Sequence, residues 1–342
     1  MIVLLISVFV SFVTTLLFTP FFTKFLRTVG IVGLDLHKRN KPKLPTSGGI
    51  CVACGVLAGL LTYMGLQTYL GYSFRPIYEL ENWLVYVLAV TVSVVIVMFV
   101  GLLDDLHVKS KEVETKEGRD IRVGISQWLK PLLTLPAAIP LMAVSAGEWE
   151  MVIPFVGPVP FGPIYPLLLI PLGVVAASNV VNLLGGFNGL EGGMGIVYVL
   201  GLGIYAALHK SIGSVIFLIA FAALVGFIRY NWYPARILPG DSLTYLLGSI
   251  VAAGVIVGNM ERSGIIVMFP FIIEFFLKLR SKFKASCLGK LRKDGKLDPP
   301  YGRRVYSWTH IIMNLKPLTE KQITIILIII QICFSTLPFL PV

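Results

Sequence analysis

Residues 82–107 read NWLVYVLAVTVSVVIVMFVGLLDDLH, an apolar run that ends in two adjacent aspartates. A run of this length matches the roughly 20 residues that an α-helix needs to cross a hydrocarbon layer about 30 Å thick. The same character extends along the chain, since 56% of its 342 residues are hydrophobic, 14% are charged and the mean hydropathy is +0.83. An ordinary globular domain is about 25% charged. We therefore predict a multi-span membrane protein.

The apolar runs predict an all-α integral membrane fold of about ten transmembrane helices, with residues 1–342 as one domain. The first run has no basic segment before it and no small-residue cleavage site after it, so we interpret it as a retained helix. Residues 148–162 alternate apolar residues with Pro and Gly, which predicts a short external β-hairpin. The predicted spans are 1–23, 48–71, 83–103, 126–146, 163–183, 192–208, 213–230, 243–260, 264–279 and 322–340.

Lysine and arginine are distributed asymmetrically between the two sides that these spans define. Of the 29 Lys and Arg residues, 26 lie in loops opposite the termini, and 12 of those lie in one long basic loop, 278–321. Because cytoplasmic loops carry the excess of Lys and Arg, we predict that both termini lie outside and that these loops are cytoplasmic. Anionic lipid headgroups account for part of this charge. The loops show no nucleic-acid-binding module, so we expect no nucleic-acid partner, and the remaining field suits a phosphorylated substrate.

Acidic residues concentrate at the cytoplasmic ends of the predicted spans, at Asp35, Asp104, Asp105, Glu191 and Asp241. Adjacent carboxylates such as Asp104 and Asp105 repel each other, and an unpaired charge beside lipid is costly. The dipole of a helix also disfavours negative charge at its C-terminal end. We therefore interpret this pair as part of a functional site rather than as a solvated helix end.

Two further motifs bring amides and a carboxylate to helix ends. The stretch NVVNLLGGFNGLEGGMG, residues 179–195, combines three asparagines with glycines that either admit a ligand closely or pack helices together. In ILPGDSLTYLLGS, residues 237–249, Asp241 opens an apolar span, where it either caps the helix or binds a metal. Since Mg²⁺ prefers one or two carboxylates together with waters and substrate phosphates, Asp241 and Asn182 are a candidate ligand set.

Two charged residues lie inside or beside apolar runs. Lys130, in QWLKPLLTLP, either snorkels to the membrane interface or pairs with an aspartate of the 104–105 pair or with a phosphate. Glu274, in FPFIIEFFLK, is the one acid well inside a predicted span, which makes it a functional candidate without an assigned role. The four cysteines do not indicate a disulfide framework, because three of them lie in apolar runs.

These motifs, taken in order, resemble those of the polyprenyl-phosphate N-acetylhexosamine-1-phosphate transferases. The resemblance covers essentially the whole chain and is strongest to the dolichyl-phosphate GlcNAc-1-phosphotransferases of archaea and eukaryotes. Bacterial members usually carry aspartates where this chain has Gly185 and Asn188, and a histidine cluster that the basic loop lacks. The motifs that carry the resemblance are DLHKRNKPKLPTSGG (35–49), GLLDDL (101–106), NVVNLLGGFNGLEGG (179–193), PGDS (239–242) and the basic loop.

The resemblance implies transfer of GlcNAc-1-phosphate from UDP-GlcNAc to dolichyl phosphate with release of UMP. That reaction is the first membrane step in the assembly of lipid-linked glycans, and Mg²⁺ is the implied cofactor, with Mn²⁺ as a substitute. The family's dolichol members place an Arg-x-Arg pair in the last cytoplasmic loop, where this chain has Lys284 and Ser286. The implied roles are metal binding by Asn182 and Asp241, catalysis by Asp104, Asp105 and the phosphate-contacting Lys130, uracil contact by Asn188, a pocket wall at Leu36, and substrate binding by Glu191, Lys282, Lys284 and Arg303 or Arg304.

Other interpretations of the same residues lead to different substrates or a different class of protein. Within the enzyme class, the donor is another UDP-N-acetylhexosamine or the acceptor is undecaprenyl phosphate. An ion-coupled transporter would use Glu274 and the aspartates, but transporters place such groups near the bilayer midplane in two matching halves. Here they lie at one face and the sequence shows no internal repeat. The expected setting is the lipid bilayer of an archaeal cell membrane, or of the endoplasmic reticulum in a eukaryote, with the site facing the cytoplasm and a homodimer as a further expectation.

Overall fold

The computed structural model describes residues 1–70, 82–107, 109–114, 120–123, 128–153 and 157–340. The chain is mostly helical, with 3₁₀ turns at Leu135–Ala138 and Leu337–Phe339 and a π-helical turn at Tyr165–Leu169. The α-helices are α1 (Ile2–Val29), α2 (Gly49–Leu70), α3 (Trp83–His107), α4 (Leu129–Thr134), α5 (Ile139–Ala143), α6 (Ile170–Val181), α7 (Leu190–Leu208), α8 (Gly213–Asn231), α9 (Gly240–Val257), α10 (Glu261–Val267), α11 (Phe269–Leu279), α12 (Trp308–Leu315) and α13 (Glu320–Thr336).

Within the described residues, seven helical segments are long and apolar enough to cross a membrane: α1, α2, α3, α7, α8, α9 and α13 with its 3₁₀ extension. The predicted spans 126–146 and 163–183 contain shorter apolar helices, Leu129–Ala143 and Tyr165–Val181. The predicted span 264–279 is divided between α10 and α11 at Met268. Proline lacks the N–H that a helix interior requires, and prolines occupy the first turns of α5, α6 and α11.

The helix α9 lies at the centre of the molecule. Its apolar segment is 89% buried inside the protein, against 33% for α1 and 28% for α13. It packs against α3 and α6, and also against α2 and α8. A helix that is apolar on all sides is enclosed by other helices or by lipid, so α9 has protein around it and the outer helices are left to face lipid.

Glycines bring the backbones of these central helices into direct contact. A Cβ atom on Gly101 of α3 would lie 3.0 Å from the backbone nitrogen of Ser242 in α9. A Cβ atom on Gly248 of α9 would likewise meet the backbone of Ala177 and Ser178 in α6. Small residues permit such close approach between membrane helices. The consequence is that the C-terminal end of α3 lies directly against the N-terminal end of α9.

Short antiparallel strands join the helices, so the prediction of an all-α chain is incomplete. The hairpin predicted within 148–162 is confirmed, although residues 154–156 lie outside the described residues. A three-stranded sheet in the basic loop was not predicted, although the Asp294–Gly295 pair between β7 and β8 is a common hairpin signal. The strands are β1 (Val32–Leu34) paired with β2 (Lys43–Pro45), β3 (Lys109–Glu114) with β4 (Asp120–Val123), β5 (Glu150–Ile153) with β6 (Gly157–Pro160), and β8 (Lys296–Asp298) with both β7 (Lys290–Leu291) and β9 (Leu318–Thr319).

Candidate active site

Several helix ends meet at one place and bring polar side chains from distant parts of the sequence together. The last turn of α3 supplies Asp104 and Asp105, and the first turn of α9 supplies Asp241. Lys130 comes from the first turn of α4, and Asn182 follows the last residue of α6. The five residues predicted to hold the metal and perform catalysis are therefore neighbours in the structure.

Lys130 joins two of the carboxylates. Its Nζ atom lies 2.8 Å from Asp104 Oδ2 and 3.0 Å from Asp241 Oδ2. The hydroxyl of Tyr245 also donates to Asp104 Oδ2, at 3.0 Å. The Lys130 side chain is 9% exposed, so it does not snorkel to the interface but pairs with the buried Asp104 and the partly exposed Asp241. Breaking such a pair by removing one partner is strongly unfavourable, because the other charge is left buried without compensation.

Asp105 caps the helix that carries Asp241. The backbone N–H of Asp241 donates to Asp105 Oδ1 at 2.7 Å, and the backbone N–H of Ser242 donates to Asp105 Oδ2 at 3.2 Å. The dipole at the C-terminal end of α3 disfavours the negative charge of Asp105. The positive end of the α9 dipole compensates for this. Capping of α9 is thus performed by Asp105 from another helix, which leaves the side chain of Asp241 directed at Lys130 and Asn182.

Asp241 is the most accessible carboxylate of the cluster. Its side chain is 32% exposed, whereas that of Asp104 is 1% exposed. Asn182 Nδ2 donates to Asp241 Oδ2 at 3.4 Å, and Asn182 Oδ1 accepts from the hydroxyl of Thr244 at 2.9 Å. In the part of the chain that the structure describes, no group of three His, Cys, Asp or Glu side chains could hold a metal on its own. A cation here would need further oxygens from substrate and water, which is the usual arrangement for Mg²⁺.

Asn188 joins three separate segments of the chain. Its Nδ2 atom donates to Asp35 Oδ2 at 3.1 Å and to Glu320 Oε1 at 2.7 Å. Its Oδ1 atom accepts from the backbone N–H of Ala235 at 2.7 Å, and its own backbone N–H donates to Glu320 Oε1 at 2.7 Å. These contacts use every N–H donor of the residue, which is 3% exposed. A contact between uracil and Asn188 would have to replace one of them or use the second lone pair of Oδ1.

The remaining predicted residues are Glu191 and Leu36, which lie in turns or at a helix start, and the basic residues of the long loop. Glu191 is buried, and its Oε1 atom accepts from the backbone N–H of Gly186 at 2.7 Å, which fixes the glycine turn that follows Asn182. Leu36 is partly exposed in the turn between β1 and β2. The basic candidates lie in the long loop, where Lys284 lines a cavity of about 620 Å³ together with Lys290, Arg304, Tyr301 and Tyr306, while Lys282 and Arg303 are exposed and are not among its lining residues.

The chain also matches known proteins along its length. The family model described as glycosyl transferase family 4 matches residues 87–259. A protein of Sulfolobus acidocaldarius is 32% identical over 337 residues, which is 98% of this chain and 94% of the relative. Its name gives it provisionally as a UDP-N-acetylglucosamine–dolichyl-phosphate N-acetylglucosaminephosphotransferase. The chain belongs to glycosyl transferase family 4. The family resemblance predicted from the motifs is thereby confirmed.

Two further relatives are similar to this family 4 chain over most of its length. A UDP-N-acetylglucosamine–dolichyl-phosphate N-acetylglucosaminephosphotransferase of Dictyostelium discoideum is 26% identical over 88% of this chain and 79% of its own length. A phospho-N-acetylmuramoyl-pentapeptide-transferase of Streptococcus mutans is 28% identical over 78% of this chain and 75% of its own length. The family match at 87–259 contains the carboxylate cluster but not Asp35 or Glu320. The two acidic partners of Asn188 therefore come from outside the matched region.

Sequence reasoning missed four side chains that organise this family 4 site. Thr244 and Tyr245 lie three and four residues after Asp241, on the same face of α9, and that spacing was a usable signal. Glu320 opens the final apolar helix and forms an ion pair with Lys38, which also lies 3.5 Å from Asp35. For this second pair the sequence offered only an acid at a helix start and a lysine in a basic stretch.

We expect Asn188→Asp to destabilise the protein in detergent by about 2 kcal/mol or more. The new carboxylate would lose both Nδ2 donors and would face the acids Asp35 and Glu320 in a buried site. A lower midpoint of thermal unfolding, measured on purified protein, would show the effect. Asn40→Asp is the matched control, because Asn40 is exposed in the turn between β1 and β2 and should tolerate the charge. An unchanged midpoint for Asn188→Asp would contradict the structural role given to Asn188.

Proposed function

We propose that this chain transfers N-acetylglucosamine 1-phosphate from UDP-GlcNAc to dolichyl phosphate and releases UMP. The observation that carries the proposal is its similarity, over 98% of its length, to an archaeal protein named for that activity. The clustered acids, amide and lysine support it, because their residue types suit charge neutralisation at a diphosphate. An oxygen of the lipid phosphate attacks the β-phosphorus of the donor, and the bond between that phosphorus and the bridging oxygen breaks, so the oxygen leaves with UMP.

Two anions, the lipid phosphate and the donor diphosphate, must approach each other in this reaction. The protein must therefore reduce the repulsion between them. A phosphate monoester is already an anionic nucleophile near neutral pH, so positioning and electrostatic stabilisation matter more than a strong base. Lys130 places a buried cation between Asp104 and Asp241, where it can turn to a phosphate oxygen when substrate arrives. Asp105 acts by holding the N-terminus of α9.

We also propose that Asp241 and Asn182 hold Mg²⁺, with Mn²⁺ as a substitute. The exposed face of the Asp241 carboxylate and the neighbouring amide support this assignment, since they offer a partial ligand set that substrate phosphates would complete. When bound, the ion would neutralise charge on the diphosphate and on the departing UMP. The Asn182 amide would present its oxygen by rotating through 180°, with the Thr244 hydroxyl turning to match.

The proposed setting follows from the distribution of charge. We place both termini outside and the carboxylate cluster at the cytoplasmic side, with residues 1–342 as one catalytic domain and 278–321 as its basic cytoplasmic loop. The cavity lined by Lys284, Lys290 and Arg304 supports binding of an anionic group by that loop. Residence in the cell membrane of an archaeon and a homodimer remain predictions.

Labelling of the β-phosphate distinguishes the proposed reaction from ordinary glycosyl transfer. Purified protein would be incubated with Mg²⁺, dolichyl phosphate and UDP-GlcNAc labelled with ³²P at the β-position. We expect the label in the lipid product together with unlabelled UMP. Label retained in UDP, with an unlabelled lipid-linked sugar, would overturn the proposal. Parallel reactions with UDP-GalNAc and with undecaprenyl phosphate test the two alternative substrates.

A further inference from the structure

Glu274, which lies on α11 at the entry to the basic loop, is buried with two defined partners. The side chain is 0% exposed, and its Oε2 atom accepts from the Ser307 hydroxyl at 3.1 Å and from the Trp308 backbone N–H at 2.9 Å. The Trp308 indole N–H also donates to the Pro270 carbonyl, one turn earlier on α11, at 2.8 Å. The first turn of α12 is therefore fixed to α11, and the carboxylate lies at the helix end whose dipole favours it.

Lys278 provides a second attachment from the same helix face. Its Nζ atom donates to the Ala285 carbonyl at 2.7 Å and lies 3.8 Å from Glu274 Oε1, and the side chain is 5% exposed. Glu274 Oε1 is buried without a hydrogen-bond partner among the described residues, so the charge of Lys278 is what compensates it. Here both partners reach the basic loop, so α11 holds this loop at residue 285 and again at residues 307–308.

Side chains of the helix α12 bind the backbone of residues 286 and 287. The Thr309 hydroxyl donates to the Cys287 carbonyl at 2.6 Å. The Tyr306 backbone N–H donates to His310 Nδ1 at 3.1 Å, so the ring proton resides on Nε2, which donates to the Ser286 carbonyl at 3.0 Å. Adjacent residues of α12 therefore clamp two successive carbonyls of the loop.

The clamped segment lies against the turn that follows Asn182. Cys287 Sγ donates to the carbonyl oxygens of Leu183, at 3.5 Å, and Gly185, at 3.3 Å. Asn182 in turn contacts Asp241. A continuous set of contacts thus leads from Glu274 on α11 through α12 and residues 286–287 to the carboxylate cluster.

We infer that Glu274 is a positioning residue for the nucleotide-sugar side of the site. It fixes α12, which holds Cys287 against the 183–185 turn and so fixes the placement of Asn182. This inference rests on the proposed function for its kinetic consequence, but its structural consequence is independent of any activity. It also gives a role to the acid that the sequence singled out inside a span.

Reactivity of the Cys287 thiol tests the structural consequence. Cys51, Cys54 and Cys333 would be replaced by alanine so that Cys287 is the only thiol, and purified protein would be labelled with a maleimide. We expect Glu274→Leu to raise the rate of Cys287 labelling by about tenfold or more, because the loop then opens locally and exposes the thiol.

Two further variants control this measurement. Glu274→Gln keeps an oxygen that accepts the same two hydrogen bonds but loses the charge that faces Lys278, so its labelling rate should lie between those of the parent and Glu274→Leu. Glu261→Leu is the matched control, because the hydrogen bond of the Glu261 side chain is to Tyr165 and not to the basic loop. Unchanged labelling in Glu274→Leu would overturn the inference.

The kinetic consequence separates a positioning role from general destabilisation. We expect Glu274→Leu and Thr309→Val each to raise the KM for UDP-GlcNAc by about tenfold while the KM for dolichyl phosphate stays unchanged, as loss of ground-state donor binding requires. The KM of the double variant for UDP-GlcNAc should be no higher than that of the more impaired single variant, because both substitutions act on one set of contacts. Equal changes in both KM values, or additive effects, would overturn the inference.

Two safeguards keep the outcomes distinct. If Glu274→Leu does not fold, Thr309→Val decides by the same two measurements, and a Thr309→Val protein with protected Cys287 and an unchanged donor KM refutes the inference. If the parent enzyme releases no UMP, the proposed function fails, whereas the thiol-labelling result still supports or refutes the role of Glu274.

Discussion

Asp241→Asn is expected to lower kcat by about a thousandfold or more, a loss of ~4 kcal/mol in transition-state stabilisation. Asp241 is the one carboxylate of the cluster with an open face, and its side chain contacts both Lys130 and Asn182. An asparagine has nearly the same size but lacks the charge that would hold a cation against the substrate diphosphate. Activity would be measured as UMP release over a titration of Mg²⁺.

Folding must be shown to survive this substitution. Lys130 keeps its shorter contact with Asp104, at 2.8 Å, so Asp241→Asn does not leave that lysine unpaired. We expect a monodisperse protein whose unfolding midpoint is close to that of the parent. Asp298→Asn is the control, because the side chain of Asp298 is 45% exposed and lies in β8. Near-normal turnover of Asp241→Asn at every Mg²⁺ concentration would remove Asp241 from the metal site.

The position of the site was predictable because charged residues at the ends of apolar helices are confined to the boundary of the membrane. A carboxylate directly after an apolar run, such as Asp104, lies at a membrane boundary, and so does Asp241 directly before one. Charge asymmetry then assigns such ends to one side. Close packing at Gly101 then brings the end of α3 against the start of α9, so the acids of the two helices become neighbours. Sequence reasoning therefore identified the members of the cluster.

Pairing within the site was not predictable from the sequence. Which carboxylate caps α9 and which faces the open side depends on the rotation and depth of α3, and two adjacent residues such as Asp104 and Asp105 look equivalent in sequence. The bonds of Asn188 depend on Asp35 and Glu320, which lie 153 and 132 residues away along the chain. The sheet in the basic loop rests on short strands of two or three residues, which carry too little periodicity to stand out.

Lys130→Met is expected to destabilise the protein by roughly 3–5 kcal/mol and to abolish turnover. The substitution keeps the apolar volume of the side chain but leaves Asp104, which is 1% exposed, without its cation. It also removes the cation that lies next to Asp241. Thermal unfolding in detergent measures the first effect and UMP release measures the second. A stable Lys130→Met protein would contradict the buried ion pair.

The double variant Lys130→Met with Asp104→Asn separates the structural role of the lysine from its chemical role. The introduced asparagine is neutral and its amide oxygen still accepts the Tyr245 hydroxyl, so the unpaired buried charge is gone and most of the stability should return. Activity should not return, because no cation then lies beside Asp241 to meet a phosphate oxygen. Recovery of both would mean that Lys130 serves only to neutralise Asp104. Recovery of stability alone, with turnover retained in the single variant Asp104→Asn, would assign to Lys130 a charge-stabilising role in the phosphoryl transfer. Loss of turnover in Asp104→Asn by itself would assign the effect to Asp104 instead.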